Sequence, residues 1–186
     1  MKTRTVSVEG WLKIVHFEEP ASGLNALIAV HDATLGPACG GCRIRPYPTV
    51  EAALDDVIRL SRGMTFKNAL GGIPFGGGKA VIIADPKTEK SDAMLRAFGR
   101  AVESMGGLYY TAEDSGVTEH DLEIVRGETK YVAGLAASGK GGNPSPFTAR
   151  GVFRGIEAAV RFWLGRKDLS VVRIASLGSD SGGREL

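Results

Sequence analysis

Cysteine, histidine and net charge are all scarce in this chain of 186 residues, which has two cysteines, three histidines and a formal charge of +2. Each scarcity closes a class of function. The small charge, with basic residues scattered rather than clustered, argues against nucleic acid or an anionic membrane surface as a partner. No uninterrupted apolar run nears the length of a membrane span, and Met1–Gly10 lacks the apolar core of a secretory leader, so a cytoplasmic protein is expected. Cys39 and Cys42 form a Cys-x-x-Cys, but His16, His31 and His120 stand apart and no second paired motif accompanies them, so no metal site is expected. A redox pair fits no better, because Pro46 discourages the helix that should follow one. Chance spacing around Gly40-Gly41 is the simpler account.

Glycine, by contrast, is in excess at 26 residues, and that excess must go into turns and binding loops. At 43% hydrophobic and 24% charged the composition is that of a globular chain, long enough for one domain or one domain plus part of another. Five glycines and Pro74 stand between Lys67 and Lys79. That density predicts a loop from Gly63 to Lys79 rather than helix or strand, with backbone free to approach a ligand; a solvated surface loop is the competing reading. A P-loop is excluded by spacing, since Gly-x4-Gly-Lys-Ser/Thr ending on Lys79 would need glycine at 73 and a hydroxyl at 80, where Ile73 and Ala80 stand. Lys79 lies where the glycine turn meets the apolar run Ala80–Ala84. An ammonium held partly out of water gives up its proton more readily, which makes Lys79 a candidate base.

Around this stretch the pattern alternates strand and helix. Leu27–His31 reads as a buried strand, and Thr49 caps a helix with Val50, Ala53, Leu54, Val57 and Ile58 inward and Gly63 as terminator. Ser91 opens a second helix with Met94, Leu95, Phe98, Ala101, Val102 and Met105 on one face, and Leu108–Ala112 is a further strand. Its end carries Glu113-Asp114, followed by Thr118 as cap of a short helix through Arg126. Asp114 is a turn former or a catalytic carboxylate on this evidence. Ser138–Pro146 marks a boundary; after Thr148 comes a helix with Val152, Ile156, Ala159, Val160 and Trp163 inward, then a strand over Ser170–Leu177 running into Gly178. The glycine fingerprint there is imperfect, with Ser176 and Ser181 at two of its positions.

Five ordered blocks carry a resemblance: Thr34–Ala38 with Gly40-Gly41, Gly63–Lys67, Gly76–Lys79 with Ala80–Pro86, Thr111–Asp114, and Asn143–Pro146 with Thr148. Together they resemble the Glu/Leu/Phe/Val dehydrogenase family, and within it the leucine, phenylalanine and valine dehydrogenase branch. The resemblance implies an α/β chain. Residues 1–137 would form a substrate-binding and oligomerisation domain built on a mixed sheet with helices, and residues 138–186 a linker, a connecting helix and the first strand of a truncated Rossmann domain. The implied function is oxidative deamination of an L-amino acid to a 2-oxo acid and ammonia with NAD, NADP remaining open, in a homo-oligomer. The chain by itself is expected to be inactive, and a substrate-binding or oligomerising module without chemistry is the alternative.

Carried over by position, Lys67 would hold the substrate carboxylate, Lys79 would activate water and Asp114 would handle protons at the amino nitrogen. Gly40 and Gly41 would line the cleft, Met64 would touch the side chain, and Thr148 and Gly178 would face the cofactor. Glutamate-specific members place a lysine just before the glycine pair, where this chain has Cys39. A glutamate carboxylate left unpaired there would cost on the order of several kcal/mol, which implies an apolar substrate.

Overall fold

The computed structural model describes residues 1–135 and 145–175, and the chain divides into two compact units, Met1–Gly141 and Gly142–Leu186. In the first unit six strands, β1 (Lys2–Val6), β2 (Lys13–Glu19), β3 (Leu24–Asp32), β4 (Ala38–Arg45), β5 (Gly76–Ile83) and β6 (Tyr109–Ala112), form one sheet. Its order is β1-β2-β3-β5-β4-β6. The first three strands and β5 pair antiparallel, whereas β5, β4 and β6 run parallel, so β5 joins the two halves. Three helices, α1 (Val50–Leu70), α2 (Asp92–Ser104) and α3 (Glu119–Arg126), complete the unit.

Side chains alternate across the sheet and so supply two cores. Ile28, Val30, Ile44 and Ile82 pack with Leu95 and Phe98 of α2 and Leu122 of α3. On the other face Leu27, Ala29 and Val81 meet Ala53 and Val57 of α1, with Val50, Leu54 and Ile58 half-buried beside them, the stripe the periodicity predicts. The helix starts lie where the sequence places them: Thr49, Ser91 and Thr118 each accept a hydrogen bond from a backbone N–H of the first turn.

Three expectations fail, each for a physical reason. The Gly63–Lys79 stretch is mostly not a loop: α1 runs through Gly63 to Leu70, and Gly76–Lys79 already belong to β5, leaving only residues 71–75 as connection. A helical glycine costs about 1 kcal/mol against alanine, and here polar stitches on both sides of Gly63 hold the helix. Trp11 Nε1 donates to Ser61 Oγ at 2.9 Å, His31 Nδ1 lies 2.9 Å from Thr65 Oγ1, and Asn68 Nδ2 donates to the carbonyls of Cys39 at 3.1 Å and Gly76 at 2.7 Å. No apolar stripe advertises this half of the helix. Nor do the strand glycines leave room for a ligand: a Cβ on Gly76 would overlap the Asp32 carbonyl, one on Gly77 would overlap Thr65 Oγ1 and its backbone nitrogen in α1, and one on Gly78 would crowd the Tyr109 ring.

The second unit holds helix α4 (Ser145–Leu164), which begins three residues before Thr148. The stripe expected to face inward is covered only in part: Val160 is buried, but Val152 is 45% and Trp163 79% exposed, and α4 is the one helix or strand described in this unit. Residues 170–175 form no strand, and Val171 and Ile174 are exposed. A strand exists only by pairing, and none of the described residues pairs with this run. Gly178 lies outside the described residues.

One ion pair fastens the turn that follows β6. Lys90 Nζ donates to Asp121 Oδ2 at 2.6 Å and to the Gly116 carbonyl at 3.1 Å, while Asp121 closes the capping box with Thr118. Burial works to raise the Asp121 carboxyl, but hydrogen bonds from Lys90 and Thr118 outweigh it and hold it below the usual range. Such a carboxylate adds stability that is present above the unfolded value near pH 4 and is lost as the pH falls through the depressed folded value. Asp121→Asn should therefore cost about 1–3 kcal/mol at pH 7. It should also flatten the acid limb of melting temperature against pH; an unchanged limb would count against this linkage.

Candidate active site

Lys79 and Asp114 come together because β5 and β6 flank β4 and run in the same direction as it. Lys79 lies within β5, 6% exposed, and Asp114 follows two residues after the end of β6. Lys79 Nζ stands 2.6 Å from Asp114 Oδ2. The turn bearing Asp114 lies directly on β4: Ile44 N donates to the Ser115 carbonyl at 2.9 Å, and Val117 N to the Asp114 carbonyl at 2.9 Å. Only glycine at 41 permits this approach, since a Cβ there would overlap the Glu113 carbonyl and come within 2.8 Å of Asp114 Cβ. Gly40 is fixed from the opposite side by Tyr109, whose buried hydroxyl donates to the Gly40 carbonyl at 2.6 Å.

Electrostatically the pair is one corner of a larger set. Arg43 of β4 donates from Nε to Asp114 Oδ2 at 3.3 Å and from a terminal nitrogen to Asp56 Oδ2 at 3.0 Å. Asp56 also accepts from Tyr47 at 2.7 Å and from Arg59 at 2.9 Å. Burial pushes the Asp114 carboxyl up, yet the Lys79 charge and hydrogen bond, the Ser115 backbone and Arg43 together hold it below its ordinary range. Asp56 is lowered likewise, burial being outweighed by Tyr47, Arg59 and Arg43. The site thus holds two ionised carboxylates among fixed cations.

The other candidates stand on several elements. Met64 of α1 lies over Gly40, its Cγ 3.1 Å from where a Cβ on that glycine would be. Lys67, exposed in the last turn of α1, is neighbour to the buried Asn68 that clamps the helix to β4 and β5. Cys39 is half-buried; burial raises its thiol, against the opposing pull of the Lys79 charge, so position 39 is a neutral group near the lysine. Cys42, three residues along the same strand, joins the core with Ala38 and Ile44, so the two sulfurs face apart and cannot share a metal. Thr148 is exposed in the first turn of α4, in the second unit.

The profile described as Glu/Leu/Phe/Val dehydrogenase, dimerisation domain, matches residues 12–131. The chain belongs to that family. Among its relatives in the family, the leucine dehydrogenase of Bacillus subtilis strain 168 is 50% identical over 167 residues, 89% of this chain and 46% of that protein. The phenylalanine dehydrogenase of Bacillus thermotolerans is 48% identical over 167 residues, again 89% of this chain and 44% of its own length. The crystal structure of L-tryptophan dehydrogenase from Nostoc punctiforme superimposes with a TM-score of 0.67 at 43% identity, covering 95% of this chain and 50% of that one. The chain therefore spans about half the length of the curated relatives it matches, and it is similar to leucine and phenylalanine members of the family.

Arg43, Asp56, Tyr47, Asn68 and Tyr109 escape the sequence reading. For two of them a signal exists. Asp56 stands three residues after Ala53, on the inward side of α1, where a carboxylate needs a partner. Arg43 alternates with Cys42 and Ile44 of the α2-side core and so must point to the opposite face, where α1 lies.

Proposed function

We propose that this chain is the substrate-binding part of an amino acid dehydrogenase that oxidatively deaminates an apolar L-amino acid to a 2-oxo acid and ammonia with NAD. The observation that carries the reading is the 2.6 Å contact between the buried Lys79 and Asp114, a base and a carboxylate brought together across β4. Their division of labour follows from their chemistry. Asp114, held ionised, can accept a proton from the substrate ammonium. A substrate ammonium that takes up Asp114 displaces Lys79 from it; once the Lys79 ammonium has passed its proton to solvent, the neutral amine can act as base on the water that attacks the iminium carbon. Lys67, on its clamped helix turn, would hold the α-carboxylate as a point charge.

Among the described residues the cofactor finds only Thr148, and one exposed hydroxyl is not a dinucleotide site. Removal of hydride from the α-carbon is the nicotinamide's part, and the steps above are those of this chain's own side chains. The preference for an apolar substrate rests on Cys39, whose neutral thiol offers a glutamate carboxylate no charge partner. We assign the first unit to substrate and subunit contacts, the second to the start of the cofactor domain, and the protein to a cytoplasmic homo-oligomer. The dimerisation domain named by the matching profile supports the oligomer.

Ligand-dependent melting of the chain tests substrate binding. With millimolar 4-methyl-2-oxopentanoate its melting temperature should rise, whereas 2-oxoglutarate should leave it unmoved, and Lys67→Ala should abolish the rise. A shift with both acids, or with neither, would overturn the apolar-substrate reading.

A further inference from the structure

Arg43 has a geometry that pairing with a single carboxylate does not account for. It reaches Asp114 through Nε at 3.3 Å and Asp56 through a terminal nitrogen at 3.0 Å, so two edges of one planar group bridge helix α1 to the turn beyond β6. Asp56 is 8% exposed and is held from a third direction by the Tyr47 hydroxyl at 2.7 Å. A guanidinium with fixed donors and a buried anchor is a rigid brace, and it cannot lose its charge. Lys79 and Arg43 both lie on the same oxygen of Asp114, so the lysine can turn away while the arginine keeps the carboxylate where it is.

Resting on the proposed proton role of Asp114, we infer that Arg43, braced by Asp56 and Tyr47, is a positioning residue that keeps the Asp114 carboxylate in place when Lys79 leaves it for water. The other titratable groups whose charge would reach Asp114 do not do this. Cys42 and Tyr109 are fully buried, and burial drives both upward, so they stay neutral and bring no charge to it.

The test is carbon-detected NMR titration of the Asp114 carboxyl in the 186-residue chain. Arg43→Gln removes the cation and should move the Asp114 midpoint to higher pH with Lys79 intact; a midpoint at the wild-type value overturns the proposal. Should that variant fail to fold, Arg43→Lys is read in its place. A point ammonium does not reproduce the planar fork that spans both carboxylates, so a smaller upward movement is expected and a wild-type midpoint again overturns it. Asp114→Asn, assayed in a chimera that joins the chain to the cofactor half of the Bacillus subtilis leucine dehydrogenase, tests the underlying role separately. Undiminished turnover there would remove the proton role of Asp114, and this proposal with it, whatever the titration gives.

Discussion

Lys79→Ala should lower kcat for deamination of leucine by roughly a hundred- to ten-thousandfold, the range for removal of a general base. The assay is NAD reduction by the chimera carrying this chain. The loss should not come from unfolding, because Asp114 keeps Arg43 as a charge partner when the ammonium is gone. Lys79→Arg separates charge from chemistry. It preserves a cation beside Asp114 but cannot release a proton at any working pH, so it should be as inactive as the alanine variant. If Lys79→Arg retained most of the turnover, Lys79 would be a charge that orients Asp114, and the base would have to be sought elsewhere. If the chimera failed to reduce NAD with any apolar amino acid while the chain still bound the 2-oxo acid, a non-catalytic binding module would be the better description.

The second large effect concerns stability. Gly77→Val should destabilise the first unit by at least about 3 kcal/mol, lowering its melting temperature by roughly 10 °C. The cause is direct, since a Cβ at 77 would overlap Thr65 Oγ1 and its backbone nitrogen and lie 2.6 Å from its Cα. Backbone of a long helix docked on a central strand cannot step aside. Gly63→Ala is the matched control: a Cβ at 63 meets nothing within 4 Å, and alanine in a helix interior should stabilise by about 0.5–1 kcal/mol. Equal melting temperatures for the two variants would refute the packing account.

These two glycines also mark how far local sequence can be read. Glycine carries no sign of whether it breaks an element or lets two elements touch, so Gly63 looked like a stop and Gly76–Gly78 like a loop, although α1 passes through one and β5 contains the others. The caps at Thr49, Ser91 and Thr118 were legible because a capping side chain bonds to backbone only three residues away. Strands depend on distant partners. Lys2–Val6 has little apolar content and forms by pairing with Lys13–Glu19, while the more apolar residues 170–175 find no such partner among the described residues. At the site, Lys79 stood out where a glycine turn meets an apolar run and Asp114 through the family's motifs, and the structure places the two in contact. Arg43 and Asp56 did not, because the signal each carries, a charge on the inward side of its element, gains its meaning only where the helix crosses the strand.

The place of β5 in the sheet has one more consequence. Lys79 is carried by a strand with hydrogen-bonded neighbours on both sides, whereas Asp114 follows a four-residue strand at the sheet's edge. Backbone amides around Lys79 should thus exchange with deuterated solvent only when the whole unit opens, and those of residues 113–116 earlier, to the extent that the Lys90 and Arg43 ties to that turn let go. Chemistry at this site would then be a meeting of unequal partners, a lysine held by the ladder of a central strand and a carboxylate held by side-chain ties to its turn.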